Sequence, residues 1–186
     1  MNAVSTQITL ADLERMPDDG MRREILYGEL IELPPPKFGH ESIACNILES
    51  LLRFVRDRKL GRVFPGSTGY QLFADRKTWL EPDVSFLRAD RVAGTGGDDY
   101  PQGAPELAVE IMSPSESAKT VKRKVAAYFE AGAQAVVLVF PKTRTVRLLL
   151  SDDRVINFRE TDTLTIPFLL PGWELPVAQI FAEIGD

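Results

Sequence analysis

One cysteine, Cys45, and one histidine, His40, are all that the 186-residue chain holds of either type. The lone cysteine excludes an intrachain disulfide and a cysteine-built zinc site, and it agrees with a reducing compartment. The lone histidine excludes a metal centre made of several imidazoles. No stretch approaches the roughly 20 apolar residues of a membrane span. Met1 to Thr6 also lacks the basic region and apolar run of a secretory leader, so a cytoplasmic protein with no membrane contact is expected. Positive charge is short as well: 22 Lys and Arg stand against 27 Asp and Glu, a net charge of −5. That balance excludes a protein that coats nucleic acid by charge alone, but not an enzyme with a restricted site.

What is present fits one globular domain over residues 1–186, with 1–9 as a flexible N-terminal segment; 44% of the chain is apolar and 26% charged. Leu10 to Arg15 reads as a short helix ended by Pro17 and the Asp18-Asp19-Gly20 turn. Arg23–Leu26 and Leu30–Leu33 flank Tyr27-Gly28-Glu29 as a hairpin, and Pro34-Pro35-Pro36 ends the pairing. Ile43, Ile47, Leu48, Leu51, Phe54 and Val55 recur at helical steps, which predicts a helix over Glu41–Lys59 with Gly61 as its cap. Strands are expected at Arg62–Phe64, Tyr70–Phe73, Trp79–Leu87 and Glu106–Met112, with a loop from Arg91 to Gly103. A helix capped by Ser113 or Ser115, with Glu116 in its first turn, should run to Ala131 and stop at Gly132. Ala135–Phe140 is wholly apolar, so it reads as a central strand covered on both faces. Strand, helix and strand from Glu106 to Phe140 form a parallel crossover unit. Thr143–Leu150 with Arg154–Arg159 makes a second hairpin, and Val177–Ile184 a closing helix.

Two acids interrupt this greasy pattern. Glu110 lies in Leu107-Ala108-Val109-Glu110-Ile111-Met112, where Leu107, Val109 and Ile111 share one face and Ala108, Glu110 and Met112 the other. An ionised carboxylate in a packed sheet costs several kcal/mol unless a cation or donors offset the lost water. The bland solution is an arginine ion pair. Asp83, 27 positions earlier at the start of a strand, could equally be a turn residue after Pro82. Together the two acids suit a hard cation such as Mg²⁺, which prefers one or two carboxylates plus waters and substrate phosphate. A lysine beside the attacking water would complete the electrostatics. Lys122 and Lys124 both flank the buried stripe of Val121, Val125, Tyr128 and Phe129, and periodicity does not choose between them. The clusters Arg53, Arg56, Arg58, Lys59, Arg62 and Lys119, Lys122, Arg123, Lys124 read as solvated helix faces.

The ordered set Arg23-Glu24-Ile25-Leu26-Tyr27-Gly28-Glu29-Leu30, His40 at a helix start, Pro82-Asp83-Val84-Ser85, Val109-Glu110-Ile111-Met112-Ser113-Pro114-Ser115, Lys124 with Tyr128, Gly132 and Leu170-Pro171-Gly172-Trp173 resembles the bacterial restriction-endonuclease (Uma-two) family of the PD-(D/E)XK nuclease superfamily. The resemblance runs from Leu10 to Ile184. It implies an α/β (α+β) restriction-endonuclease-like fold, a mixed central β-sheet flanked by helices with an N-terminal hairpin. It also implies cleavage of DNA dependent on Mg²⁺ or Mn²⁺. Carried over position by position, Asp83 and Glu110 match the metal-binding acids, the Ile111 carbonyl a further ligand, and Glu24 an N-terminal acid. The superfamily lysine two residues after Glu110 is replaced by Met112. The resemblance puts that lysine on the following helix and selects Lys124. Where relatives often carry an acid four residues before it, this chain has Thr120. His40 reads as a helix-start residue. A homodimer is expected, since cutting both strands of a duplex favours two-fold symmetry.

Two other classes compete. A catalytically silent nuclease-like fold would act as a nucleic-acid or protein-binding module. A hydrolase with a serine or cysteine nucleophile would need His40 as base, yet Cys45 lies about 140° around the same helix and no Gly-x-Ser-x-Gly elbow occurs.

Overall fold

A computed structural model describes residues 7–114 and 116–182. Helix α1 (Leu10–Leu13) opens with the Asp12 carboxylate accepting both the Thr9 amide, at 2.9 Å, and the Thr9 hydroxyl, at 2.6 Å. The segment is already tied before that, because the Ile8 amide donates to the Gly28 carbonyl at 2.9 Å; of the segment expected to be flexible, residues 1–6 lie outside the described residues. Strands β1 (Arg22–Leu26) and β2 (Glu29–Leu33) pair antiparallel around Tyr27-Gly28, whose φ values of 53° and 81° are both left-handed. Such a turn twists with the strands, so the hairpin closes in two residues.

Helix α2 (Phe38–Arg58) begins three residues before the periodicity suggested, and buries Ile43, Ala44, Ile47, Leu51 and Val55. Its cap is Lys59 in the left-handed region, φ 55° and ψ 35°, and not Gly61. Gly61 instead opens β3 (Gly61–Pro65), where a Cβ would stand 2.0 Å from the Leu87 carbonyl oxygen. Short β4 (Tyr70–Gln71) and β5 (Trp79–Leu80) follow, then β6 (Val84–Arg88). The single strand expected over Trp79–Leu87 is thus two, broken at Glu81-Pro82-Asp83 because Pro82 has no amide to give a ladder.

The expected loop from Arg91 overlaps α3 (Ala89–Ala93), a helix too short to show a period. Strand β7 (Leu107–Ile111) leads to α4 (Ala118–Glu130). The N-cap of α4 is Ser117, whose Oγ accepts the Thr120 amide at 3.0 Å, so Glu116 precedes the helix; Ser115 lies outside the described residues. Gly132, at φ 99°, ends the helix as expected: its amide reaches the Phe129 carbonyl at 3.1 Å and the Ala133 amide the Tyr128 carbonyl at 2.9 Å. The chain finishes with β8 (Ala135–Phe140), β9 (Thr145–Leu150), β10 (Val155–Phe158), β11 (Thr163–Thr165), β12 (Glu174–Pro176) and α5 (Val177–Ile180). Ile184, in the expected closing helix, lies outside the described residues.

The architecture is mixed α and β. A six-stranded sheet has the order β10-β9-β8-β7-β6-β3, in which β7 and β8 are parallel and the other pairs antiparallel. A four-stranded sheet, β2-β1-β5-β4, holds the N-terminal hairpin, and β11 pairs with β12. On one face of the large sheet Leu107, Val109 and Ile111 pack with Ile47 and Leu51 of α2 and with Trp173, Val177 and Ile180. On the other, Ala108, Val136 and Leu138 pack with Ala127 and Tyr128 of α4 and with Leu26 of the hairpin. Glu110, on the face of Ala108, is therefore held between the large sheet, α4 and the small sheet.

The close approach at Gly61 makes a test. Gly61→Ala drives a methyl group into the β6 backbone, and should lower stability by roughly 1–3 kcal/mol in urea unfolding. Gly20→Ala, at a position with φ +79° where a Cβ meets nothing within 4 Å, should show the effect of backbone conformation without the collision.

Candidate active site

A buried ammonium organises the charged interior. Lys124 projects from α4 and is 3% exposed, with Nζ 2.8 Å from Glu110 Oε2, 3.1 Å from Glu24 Oε2 and 3.7 Å from Glu116 Oε1. Tyr128, one helical turn on and therefore on the same face, donates its hydroxyl to Glu110 Oε1 at 2.6 Å. Lys122 is exposed and Arg123 pairs with Glu29 outside, so the lysine that meets the acids is Lys124. The cation facing Glu110 is thus a lysine and not the arginine of the bland expectation. Lys124 is also no part of a solvated basic face.

Asp83 is caught where the chain passes from one sheet to the other. Its Oδ2 accepts the Ile111 amide at 2.7 Å and lies 3.3 Å from His40 Nε2, while Oδ1 accepts from Arg22 Nη1 at 3.2 Å. The first bond fixes Asp83 to the residue after Glu110. Arg22 also donates to the Glu81 carbonyl at 3.1 Å and lies 3.7 Å from its carboxylate, and the Glu81 amide donates to Glu24 Oε1 at 3.0 Å. Glu24, Asp83, Ile111, Glu110 and Lys124 are thereby linked through one set of short contacts. Asp83 is more than a turn residue, and His40 more than a helix-start residue.

Five acids, Glu24, Glu81, Asp83, Glu110 and Glu116, surround the cations Lys124 and Arg22 and the imidazole of His40. With all five acids ionised, negative charge would be in excess even with His40 protonated. Burial pushes the Glu110 carboxyl up to about 8, against the pull of Lys124, and Glu81 up to about 7, against the pull of Arg22. Asp83 stays below the usual range despite its burial, because His40, the Ile111 amide and Arg22 favour its charged form. Its hydrogen bond in turn raises His40. Burial pulls the Lys124 ammonium down, but Glu110, Glu24 and Glu116 together push it well above the ordinary lysine range. Lys124 therefore keeps its proton.

The donor arithmetic leaves room for a metal ion. A carboxylate offers about four lone-pair sites. Asp83 has three donors in contact and Glu110 two, so both retain acceptor capacity. Among the described residues three buried side-chain polar atoms lack a hydrogen-bond partner, and two of them, Glu24 Oε2 and Glu116 Oε1, are oxygens beside Lys124. For Glu24 Oε2 the ammonium is close but not in hydrogen-bonding orientation. The unbalanced charge and the orphaned oxygens fit an added cation. Among the described residues no three His, Cys, Asp or Glu side chains form a complete metal cage. An ion held here would have to be one that keeps waters and substrate oxygens in its shell.

The sequence gives no site role to Arg22, Glu81 or Glu116, and it names Tyr128 only as the companion of Lys124 in the resemblance. Arg22 could have been found, because it stands two residues from Glu24 and so on the same strand face; Tyr128 could have been found from its four-residue step after Lys124. Glu116 had no such signal.

A family model described as "Uma2: Putative restriction endonuclease" matches residues 10–178. The fold is similar to a solved structure from Anabaena variabilis described as "a putative nuclease belonging to DUF820", with a TM-score of 0.80 and 20% identity over 94% of this chain and 97% of that one. No curated protein matches the chain.

Two outcomes follow from the charge excess. Glu81 and Glu110 bind protons more tightly folded than unfolded, as does His40, so their stabilisation is full at low pH and is lost as pH rises through about 7 and 8 for the two acids. Protein kept in a chelator should therefore melt at a lower temperature at pH 8.5 than at pH 6, read by circular dichroism. Lys124→Met removes the shared cation and should cost roughly 3–5 kcal/mol at pH 8. That loss should shrink at pH 5.5, where Glu110 can take up a proton in its place.

Proposed function

The chain belongs to the Uma2 family, and from that membership we propose that it is a divalent-metal-dependent endodeoxyribonuclease that hydrolyses DNA phosphodiester bonds. The observation that carries the reading is the joining of Asp83 to the β7 backbone beside Glu110, with the Lys124 ammonium held against Glu110. Asp83, Glu110 and the Ile111 carbonyl would hold Mg²⁺ or Mn²⁺. Bound there, the ion supplies Lewis-acid polarisation of the phosphate and a more acidic water.

The remaining work belongs to side chains. Lys124 cannot be a general base, because its carboxylate neighbours hold it as an ammonium; it supplies fixed positive charge for an attacking water and a phosphorane-like transition state. Tyr128 and Lys124 each take one oxygen of Glu110 and so fix its orientation. The Ile111 amide, His40 and Arg22 do the same for Asp83. Glu24 accepts the Glu81 amide, which steadies the turn that carries Asp83, and its other oxygen stands beside Lys124. A cytoplasmic location agrees with this chemistry. Pairing of two chains belongs to the reading only so far as both strands of a duplex are cut.

A second reading, a catalytically silent binding module, has one observation in its favour: all four carboxylate oxygens of Asp83 and Glu110 already meet protein donors. Metal binding separates the two. Calorimetry with Mn²⁺ should show binding that Asp83→Ala and Glu110→Ala each abolish. In a plasmid-nicking assay with Mg²⁺ or Mn²⁺ the same variants should lose about a thousandfold in rate, the size of several kcal/mol of metal stabilisation. Nicking that survives both substitutions would sink the assignment.

A further inference from the structure

The edge strand of a sheet presents a row of unpaired N–H and C=O groups, which folded proteins blunt with charge, proline or brevity. Three of the four edges of the two larger sheets are blunted in this way. Strand β3 carries Arg62 and ends in Pro65, β2 carries Glu29 and Glu32 and runs into Pro34, and β4 is two residues long. The remaining edge, β10, reads Val155-Ile156-Asn157-Phe158, with neither charge nor proline. It is also uncovered: Val155 is 50% exposed, Ile156 41%, and Asn157 is exposed as well. The Leu150 amide donates to the Arg154 carbonyl at 3.0 Å, so Arg154, Ile156 and Phe158 turn their backbone groups towards β9. Val155 and Asn157 therefore turn theirs outwards. The next outward amide, that of Arg159, is closed off by the Asp162 carboxylate at 2.6 Å. The open ladder is thus Val155 and Asn157, with Ile156 between them. Ile156 and Phe158 share the face of their β9 partners Leu148 and Val146, at the rim of the core that packs on α2.

We propose that β10 joins two copies of this chain, paired antiparallel about a two-fold axis at Ile156, so that their large sheets become one continuous sheet. In this register Val155 of each copy meets Asn157 of the other. The two residues with open backbone groups exchange both N–H···O=C bonds, and the symmetry repeats the exchange. Ile156 meets its own counterpart on the axis, flanked by Phe158 of each copy, which carries the apolar core across the seam. Asp153 comes opposite Arg159. Both are exposed, and among the described residues neither has an ion pair within its own chain, whereas their neighbours Arg154 and Glu160 are paired with Asp152 and Arg144. The edge therefore complements itself, in backbone, apolar contact and charge, which is what a second copy offers and an unrelated strand does not. Chains of net charge −5 repel at a distance, but the approaching hairpin is balanced: from Arg144 to Asp162 four arginines match four acids. A strand of four residues offers less than the roughly 1,200 Å² of a stable interface, so the dimer is weak, with a Kd of about micromolar. As a device for cutting duplex DNA the pairing rests on the nuclease reading, to which it gives a two-fold axis; the pairing itself does not.

Sedimentation equilibrium over about a hundredfold range of concentration spanning the micromolar should show a monomer and dimer in exchange. Val155→Pro removes an outward amide that the β9 ladder does not use, at the first position of the strand, where proline is accommodated. Ile156→Lys sets two ammonium groups against each other on the axis. Each should weaken dimerisation by about tenfold or more while the far-ultraviolet circular dichroism stays that of the native chain. Arg159→Asp should weaken it too, and adding Asp153→Arg to that variant should restore it. Register is read by cross-linking in a Cys45→Ser background, which removes the native thiol. Ile156→Cys should yield a disulfide-linked dimer under mild oxidation, because directly opposed residues of a non-hydrogen-bonded pair stand about 4.5 Å apart at Cα, within disulfide reach. Val155→Cys should not link to itself, but should link to Asn157→Cys when the two proteins are mixed. A dimer indifferent to Val155→Pro and Ile156→Lys, or equal self-linking at 155 and 156, overturns the proposal. A monomer at every concentration overturns it as well, and if that monomer nicks DNA the hydrolytic reading stands without it. A dimer with the expected register and no nicking supports the pairing while sinking the hydrolytic reading.

Discussion

The interior depends on one cation. Lys124 sits almost without solvent among Glu110, Glu24 and Glu116, and each of those carboxylates comes from a different segment: β7, β1 and the stretch before α4. A buried ion pair seldom adds much stability over apolar packing, because both ions give up water. What the structure shows here is geometric: Glu24 of β1 faces the ammonium in the observed register of the hairpin. Any register shift of the hairpin by one residue would turn Glu24 away from the ammonium and leave it buried or exposed on the wrong face. The charge network therefore selects one way of laying the small sheet against α4.

A second constraint is the break at Pro82. Because proline cannot donate to a ladder, the chain leaves the small sheet after β5 and enters the large one at β6, and Asp83 falls in the gap. There its carboxylate can accept the Ile111 amide, an end of the neighbouring strand. A backbone defect and a side-chain role coincide: the residue that interrupts pairing is next to the acid that stitches the two strands together. Continuous pairing from Trp79 to Leu87 would have no such gap.

Periodic elements were legible in the chain. The helical spacing of Ile43, Ile47 and Leu51, the alternation around Glu110 and the apolar run Ala135–Phe140 all depend on burial of one face, and burial leaves a repeating mark. The acids Glu110 and Asp83 stood out because charge in such a run requires compensation. What could not be read was which partner answers each acid. Lys122 and Lys124 have equal claims on a helical wheel, and the decision comes from where the small sheet lies, a long-range fact. His40 illustrates the same limit: its neighbours on α2 say nothing of Asp83, more than 40 residues away. Glu116 was misread for a local reason, since serine-rich chain offers several equivalent helix caps and Ser117 takes the role. Gly61 was misread because a close backbone approach leaves no trace in spacing.

The surplus of carboxylates ties ligand to fold. Folding brings five acids together with too few cations, and the uncompensated part of that repulsion must be met by protons, by a metal ion, or by lower stability. A cation that binds only the folded chain raises stability by RT ln(1 + [L]/Kd), about 2.7 kcal/mol at a hundred times Kd. The same ion would compete with protons at Glu110, so the acid that makes the metal-free fold sensitive to alkaline pH is the one whose charge an ion would satisfy. Lys124 cannot relieve this surplus, since its single charge is already shared among three carboxylates. The interior therefore holds one buried ammonium shared among three carboxylates, and the titration of Glu110 makes up what that single charge leaves unbalanced.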